Sequence, residues 1–320
     1  MKVVAAAFFT VTLIFGSAAS AQSDYPSRPI KIIAPVPAGS SADMLARIYS
    51  RVLQEKWGQP IVIENRVGAS HNIGASAVWR AAPDGYTIMT APPPSLAINK
   101  YLFPNLNYDP ETFVPVTVMV DVPNVLVVRP GLAAKDVKEL ITLAKAKPGL
   151  ITYASTGKGS TLHLAAESFR NQANIELLHV PFTGVPQLIS ELTAERVDMT
   201  LVPLIDVYPY IQNGSLRALG VGGDMRSQEL PDVPTIGDTL PGYHATAWFA
   251  VALPPKAPAA LAEKLSDAIR EAFKQPEAAQ QLKNLRGNVI LNSPTEAAAF
   301  IKADSERWRR VIVENKIAAE

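Results

Sequence analysis

Ile30-Lys31-Ile32-Ile33-Ala34-Pro35-Val36-Pro37-Ala38-Gly39-Ser40-Ser41-Ala42-Asp43 is the stretch on which the reading of this chain turns. Its first five residues are mostly apolar and β-branched, which suits a buried strand. Pro35 and Pro37 then end the strand, because proline cannot continue a ladder. Beyond them Leu45, Ile48, Val52 and Leu53 recur at helical spacing and give one apolar face, running on towards Gly58. Ser40 and Asp43 have the S-x-x-D spacing of a capping box. A small-residue loop that ends a strand and opens a helix leaves backbone N–H groups pointing at a cavity, a setting for an anion such as a carboxylate. An ordinary strand-to-helix turn has the same residues, so the rest of the chain must decide.

The unit repeats. Pro60 to Asn65 reads as a second strand, Val67 to Asn72 as its loop and Ile73 to Ala82 as a small-residue helix stopped by Pro83-Asp84-Gly85. Tyr86 to Thr90 is a third strand, with Ala91-Pro92-Pro93-Pro94-Ser95 at its carboxyl end. Successive strand–loop–helix units predict a parallel sheet with right-handed crossovers, and ligands of such sheets bind beyond the carboxyl ends of the strands. After a polar, proline-punctuated connection from Asn105 to Pro115, the strand Val125 to Val128 restarts the pattern. Helix Lys135 to Ala146, strand Ile151 to Ala154, loop Ser155-Thr156-Gly157-Lys158-Gly159-Ser160-Thr161 and helix Leu162 to Gln172 follow. Leu177 to Phe182 is a strand feeding Thr183-Gly184 and a helix to Thr193. Val197 to Val202 and Leu216 to Val221 are two more strands. Thr246 to Leu253 crosses back into a helical tail, whose last helix opens with Ser293-Pro294-Thr295-Glu296, a strong start signal. That tail needs a sheet to pack on. The expected architecture is α/β, a two-lobed binding protein whose lobes are each a mostly parallel sheet flanked by helices. Lobe 1 is 22–125 plus 246–320, lobe 2 is 126–245, and two crossings join them around a hinged cleft.

Met1 to Ala21 stands apart. It has Lys2, an apolar run from Val3 to Phe15 and an A-x-A site at Ala19-Ser20-Ala21, the pattern of a cleaved secretory signal peptide. Its loss takes one lysine and no acid, leaving 29 basic against 29 acidic residues. A neutral chain carries no large basic field, so nucleic acid and anionic lipid are not expected partners. No later apolar run reaches the roughly eighteen residues of a membrane span, so no direct membrane insertion is expected. With 48% apolar and 18% charged residues over 320 positions, the chain can build two cores. It has no cysteine, which excludes disulfides, thiolate catalysis and a lipidated N-terminal cysteine. A bacterial periplasm is the expected address.

Ser155 to Thr161 is the sharper site signal. Glycines let backbone approach a ligand, while N–H groups and hydroxyls can surround a carboxylate. The spacing is neither a P-loop nor a dinucleotide fingerprint. Two such loops facing each other across a cleft favour a small carboxylic acid as guest. Catalytic signals are weak: Gly68-Ala69-Ser70-His71-Asn72 is not a nucleophile elbow, and His71, His163, His179 and His244 lack metal spacing. An esterase using Ser70 or Ser160 stays a distant alternative. His163 and His179 read as hydrogen-bonded structural residues. His71 is either a ligand contact or solvated. Trp79 and Trp308 read as packing residues, Trp248 as a cleft or interface residue, and Arg307, Arg309 and Arg310 as a solvated helix face.

From Tyr25 to Ile317 the chain resembles the extracytoplasmic solute receptors of tripartite tricarboxylate transporters, the Bug receptors. The resemblance rests on Tyr25-Pro26-Ser27-Arg28-Pro29-Ile30, Val62-Ile63-Glu64-Asn65-Arg66, Asn72-Ile73-Gly74-Ala75, Ala82-Pro83-Asp84-Gly85-Tyr86-Thr87, Val122 to Val128, Tyr153-Ala154-Ser155, His179-Val180-Pro181-Phe182 and Leu230 to Thr235. It implies a periplasmic receptor, without cofactor or metal, that hands a small carboxylate to a membrane permease of two subunits; a monomer is the default expectation for a receptor that diffuses. A sensory receptor for a membrane kinase would look the same. The implied ligand contacts are Pro37, Ala38, Ser40, Ser41, Ala42 and Asp43 of the first loop and Ser70, His71 and Asn72 of the second. Ser95, Ser155, Thr156, Ser160, Thr161, Phe182, Thr183 and Val202 complete the set.

The chain departs from the family pattern in several places. The first loop has Gly39-Ser40-Ser41-Ala42-Asp43 where Gly-Gly is common, and Ser70-His71 replaces a Gly-Gly before Asn72. Val202-Pro203 replaces an acid and an amide, and Thr183 stands where lysine is frequent. The exchange at Val202 implies a more apolar wall and a less polar ligand, such as an aromatic carboxylate (terephthalate or a benzoate relative).

Overall fold

The computed structural model describes residues 25–317. The expected signal peptide lies outside the described residues. The first half opens with strand β1 (Ile30–Ala34), helix α1 (Ser41–Trp57), β2 (Ile61–Asn65), α2 (Asn72–Trp79), β3 (Thr87–Ala91) and the short α3 (Asn99–Leu102). A long strand, β4 (Val114–Val128), leads into α4 (Val137–Ala146), β5 (Thr152–Ser155), α5 (Thr161–Ala173), β6 (Leu178–Pro181), α6 (Val185–Thr193), β7 (Met199–Pro203), α7 (Leu204–Gln212) and β8 (Arg217–Val221). The chain returns through β9 (Thr246–Leu253) to α8 (Ala259–Ala272), α9 (Pro276–Lys283), β10 (Asn288–Val289) and α10 (Pro294–Glu314). This is a mixed α/β fold with helices on both faces of the sheet.

The strands form one hydrogen-bonded path, β2-β1-β3-β9-β4-β7-β5-β6, with β8 and β10 also on β4. The expected parallel pairs occupy the two flanks: β2 and β3 on β1, and β6 and β7 on β5. The middle is antiparallel, because β4 and β9 run against their neighbours. Sequence periodicity marks only Val125 to Val128 as a strand, whereas β4 is 15 residues long and begins at Val114. Pro115 and Pro123 disguise it. Pro115 sits beside a register shift, and Pro123 sits where pairing with β9 gives way to pairing with β7 and β8.

At that change three segments meet. Asn124 N–H donates to the Ala245 carbonyl (3.1 Å), Gly222 N–H to the Asn124 carbonyl (2.7 Å) and Ala245 N–H to the Gly222 carbonyl (2.8 Å). A Cβ on Gly222 would stand 2.5 Å from the Ala245 oxygen, so this crossing needs glycine.

One apolar cluster joins Ile30, Leu45, Val52, Val120, Leu265 and Ile269 under α1, α8 and α9. A second packs Val125, Leu188, Val202 and Val207 beneath α6 and α7. The largest runs through both halves, from Val78 and Met89 to Leu126, Phe169, Trp248 and Trp308. The tail packs back as expected, with one addition: α10 also reaches α5, where Arg170 donates to Asn315 Oδ1 (3.4 Å). Trp248 is fully buried and, with Trp308, donates its indole N–H to Asp304 Oδ2 (2.8 and 2.9 Å). It is an interior anchor and not a cleft residue. Arg307 likewise leaves the solvated face to pair with Asp304 Oδ1 at 2.8 Å. The cap of α10 is reciprocal, Ser293 with Glu296, as its sequence predicts.

Candidate ligand-binding cleft

Parallel pairing puts the carboxyl ends of β1, β2 and β3 together, and separately those of β5, β6 and β7. The loops that leave them face one another. In the first loop Gly39 takes a left-handed φ of +82°, and Ser40 N–H closes a turn on the Pro37 carbonyl (3.3 Å). Ser40 is the N-cap of α1 by backbone conformation, yet its side chain caps nothing and its Oγ is buried without a partner. The capping box expected from Ser40 and Asp43 is therefore not formed. Asp43 turns instead to Gly39 N–H (2.8 Å), to Arg47 through both guanidinium edges (2.9 and 3.0 Å) and to Asn65 Nδ2 (2.9 Å). Burial alone would raise this carboxyl, but those hydrogen bonds and the Arg47 charge outweigh it and hold it below the usual range. Asp43 thus fixes the loop's shape, while the first N–H groups of α1 keep no side-chain cap.

The second loop is strained. Ala69, Ser70 and His71 all have left-handed φ values, +45°, +51° and +77°, although none is glycine. Two contacts hold it. Asn99 Nδ2 donates to the Ser70 carbonyl (2.7 Å), and His71 Nδ1 meets the Pro35 carbonyl (2.8 Å). Asn72 begins α2 and is buried, its Oδ1 accepting from Asn99 (2.6 Å) and Tyr108 (3.1 Å). Pro35 also receives α2 at close range: a Cβ on Gly74 would lie 2.7 Å from Pro35 Cβ. Burial of the His71 ring pushes its pKa down.

Across the cleft, the loop before α5 satisfies itself. Ser160 Oγ caps the helix by accepting from His163 N–H (3.2 Å). Gly159 N–H donates to His163 Nδ1 (3.3 Å) and Gly157 N–H to Ser155 Oγ (3.1 Å). Ser155 is fully buried against His179 Nε2 (2.7 Å), and the two imidazoles lie 4.5 Å apart, with His179 stacked on Tyr153. Tyr153 in turn donates to Glu167 (2.6 Å). Burial, then the neighbouring His179, lower the pKa of His163 to about 4, and burial lowers that of His179. Both histidines have the structural, hydrogen-bonded roles expected of them.

Between the two sets of loops lies a cavity of about 270 Å³. It brings Ser70 and His71 opposite Thr156, Ser160 and Thr161, and adds Pro94, Asn99, Leu102, Phe103, Lys158 and Gly159. The first loop stands outside this lining, with Pro37 and Ala38 exposed, Ser40 and Ser41 half-buried and Ala42 buried. Six further candidates lie apart from the cavity, among them Asn72 and Ser155, both buried in the contacts already described. Ser95 is wholly buried, its carbonyl accepting from Tyr108 (3.2 Å). Phe182 packs half-buried on the core, and exposed Thr183 is tied to Gln187 (2.9 Å). Val202 is fully buried in the core under α6 and α7, so it forms no wall and the inference of an apolar wall from it fails. Residues that sequence reasoning missed are Arg47, Asn65, Asn99, Leu102 and Phe103. Asn65 does sit in a quoted motif, and Arg47 stands one helical turn after Asp43.

A larger hollow, about 570 Å³, runs along α1 past Met44, Ile48, Ile205 and Leu285, but carries none of the candidate residues. Among the described residues neither the Ser70 nor the Ser160 hydroxyl is hydrogen-bonded to a histidine ring, and Ser160 Oγ accepts from the His163 backbone N–H instead, so no serine–histidine pair is assembled. Among the described residues no group of three or more His, Asp or Glu side chains could hold a metal, and no helix is long and apolar enough to cross a membrane.

The profile of the tripartite tricarboxylate transporter family receptor matches residues 45–317. Protein BugT of Bordetella pertussis is 33% identical over 303 residues, covering 93% of each chain. Among solved structures, R. palustris Rpa4515 with adipate is 32% identical, with a TM-score of 0.79, and the match covers 92% of this chain and 99% of that one. MatC from Rhodopseudomonas palustris with bound malate is 27% identical, with a TM-score of 0.76, over 90% of this chain and 100% of its own.

Proposed function

The chain belongs to the receptor family of tripartite tricarboxylate transporters, and on that premise we propose that it carries a small carboxylate across the periplasm to a two-subunit membrane permease. The observation that carries this reading is the bare start of α1. A 17-residue helix presents uncapped N–H groups at the carboxyl end of β1, beside a buried Ser40 hydroxyl that has no partner. A ligand carboxylate supplies what that end lacks. Residues 126–245 then close as one lobe on 22–125 plus 246–320, turning about the junction of Asn124, Gly222 and Ala245, after Met1 to Ala21 has been removed on export.

Pro94, Leu102 and Phe103 support a ligand with an apolar body, aliphatic or aromatic. The adipate and malate held by two structural neighbours fit the same class. The receptor works as a monomer and leaves its ligand unchanged.

Thermal unfolding of the mature chain from Gln22, refolded from denaturant to strip any bound acid, tests the reading. The panel holds dicarboxylates, tricarboxylates, amino acids, aromatic acids and nicotinate. An acid at about a hundred times its Kd stabilises the folded state by about 2.7 kcal/mol, a rise of several degrees. No shift with any acid overturns the reading. Tight citrate binding with no aromatic acid bound overturns the aromatic part alone.

A further inference from the structure

His71 is the residue whose chemistry the carboxylate reading leaves unused. A carbonyl oxygen can only accept, so the 2.8 Å contact with Pro35 requires Nδ1 to carry the ring proton. In the neutral ring Nε2 is then a bare acceptor. Among the described residues it meets no partner, and His71 lines the cavity between the two halves. The chain also invests strain in placing it there. Ala69, Ser70 and His71 are three consecutive non-glycine residues in left-handed conformation, each disfavoured by a Cβ. Glycine would meet the backbone requirement more easily but would present no side chain.

We propose that His71 Nε2 is a specificity-determining acceptor that selects acids carrying a hydroxyl or a similar hydrogen-bond donor on the body of the ligand. The assignment rests on the carboxylate-receptor reading and adds a second point of recognition to it. An unpaired acceptor in a closed cleft penalises a ligand that cannot donate to it, more than a donor gains over water. Burial keeps the ring neutral, which preserves the acceptor. Ser160 and Thr161, across the cavity, bring hydroxyl groups that can turn either way and so do not impose this choice.

The test measures Kd by calorimetry at about pH 8, where the ring is neutral, for two pairs that differ by one hydroxyl: malate against succinate, and 4-hydroxybenzoate against benzoate. The wild-type chain should prefer the hydroxylated member of at least one pair by about tenfold. His71→Asn tolerates the left-handed conformation, and its amide N–H replaces Nδ1–H towards Pro35, but nothing replaces Nε2. It should lose the preference. His71→Gln places a carbonyl oxygen near the Nε2 position and should recover part of it. Equal affinities within both pairs in the wild type, or a preference kept by His71→Asn, overturn the assignment while the receptor reading stands. Failure of every acid in the thermal panel overturns the receptor reading and this assignment with it.

Discussion

The loops before α1 and α5 occupy matching places in the two halves, and their sequences promise the same thing: small residues, hydroxyls and a helix start. They meet that promise in opposite ways. Before α5, Ser160 caps the helix, Gly159 leans on His163 and Gly157 leans on Ser155. Before α1, Ser40 caps nothing, and Asp43 reaches back to Gly39 and sideways to Arg47 and Asn65. One loop spends its donors on itself. The other is braced from behind and leaves its helix end open. A hydroxyl-rich strand-to-helix loop is therefore not an anion site until its internal acceptors have been accounted for.

Asp43→Ala should separate the two loops most sharply. It removes a carboxylate that is 1% exposed and leaves Gly39 N–H without its acceptor, while Asn65 keeps only the Val36 carbonyl and Arg47 can turn to solvent. A loss of about 2–3 kcal/mol is expected, together with most of the acid affinity. Unfolding curves that superimpose on wild type would break the idea of a brace.

Acid should act on the other loop. His163 titrates at about 4 in the fold, below its ordinary 6.5. Between those values the unfolded chain binds more protons than the folded one, so stability declines as the pH falls through this window. Asp43, held below its ordinary range, keeps its contribution until lower pH. Hydrogen exchange should therefore show the Gly157–Ser160 segment loosening before Gly39–Asp43. His163→Asn should flatten the decline, and a decline of equal size in that variant contradicts the assignment.

The cap substitutions are smaller and form a direct pair. Ser160→Ala should cost about 1 kcal/mol in chemical denaturation, the usual value of a lost N-cap. Ser40→Ala should change stability by less than about 0.5 kcal/mol, since it deletes a hydroxyl that bonds to nothing. Equal costs would erase the distinction between the two helix starts.

Much of the fold was legible because most elements obey a single period. The strand–loop–helix units around β1, β2 and β5 follow from β-branched runs and helical spacing, and the box at Ser293 and Glu296 from local chemistry alone. What was hidden depends on partners far along the chain. The Asp43–Arg47 pair is one helical turn and could have been read, but Asn65 joins it only through the register of β1 on β2. His179 meets Ser155 because β6 lies beside β5, with Tyr153 opposite His179. Val202 misled because an exchange against the family pattern does not say where the side chain points: its strand is covered on both faces, and Leu201 and Val202 are both buried. The stretch from Val116 to Val122 was missed because its flanking prolines mark a bulge and a change of partner rather than the ends of a strand.

The most direct test of the central claim, that a ligand carboxylate takes the open end of α1, is amide NMR of the refolded chain. Each acid that raises the melting temperature would be titrated into nitrogen-15-labelled protein. The N–H signals of Ser41, Ala42 and Asp43 should move furthest, downfield, with those of Thr161 and Leu162 moving less. The largest shifts at the start of α5, with α1 silent, would contradict the account.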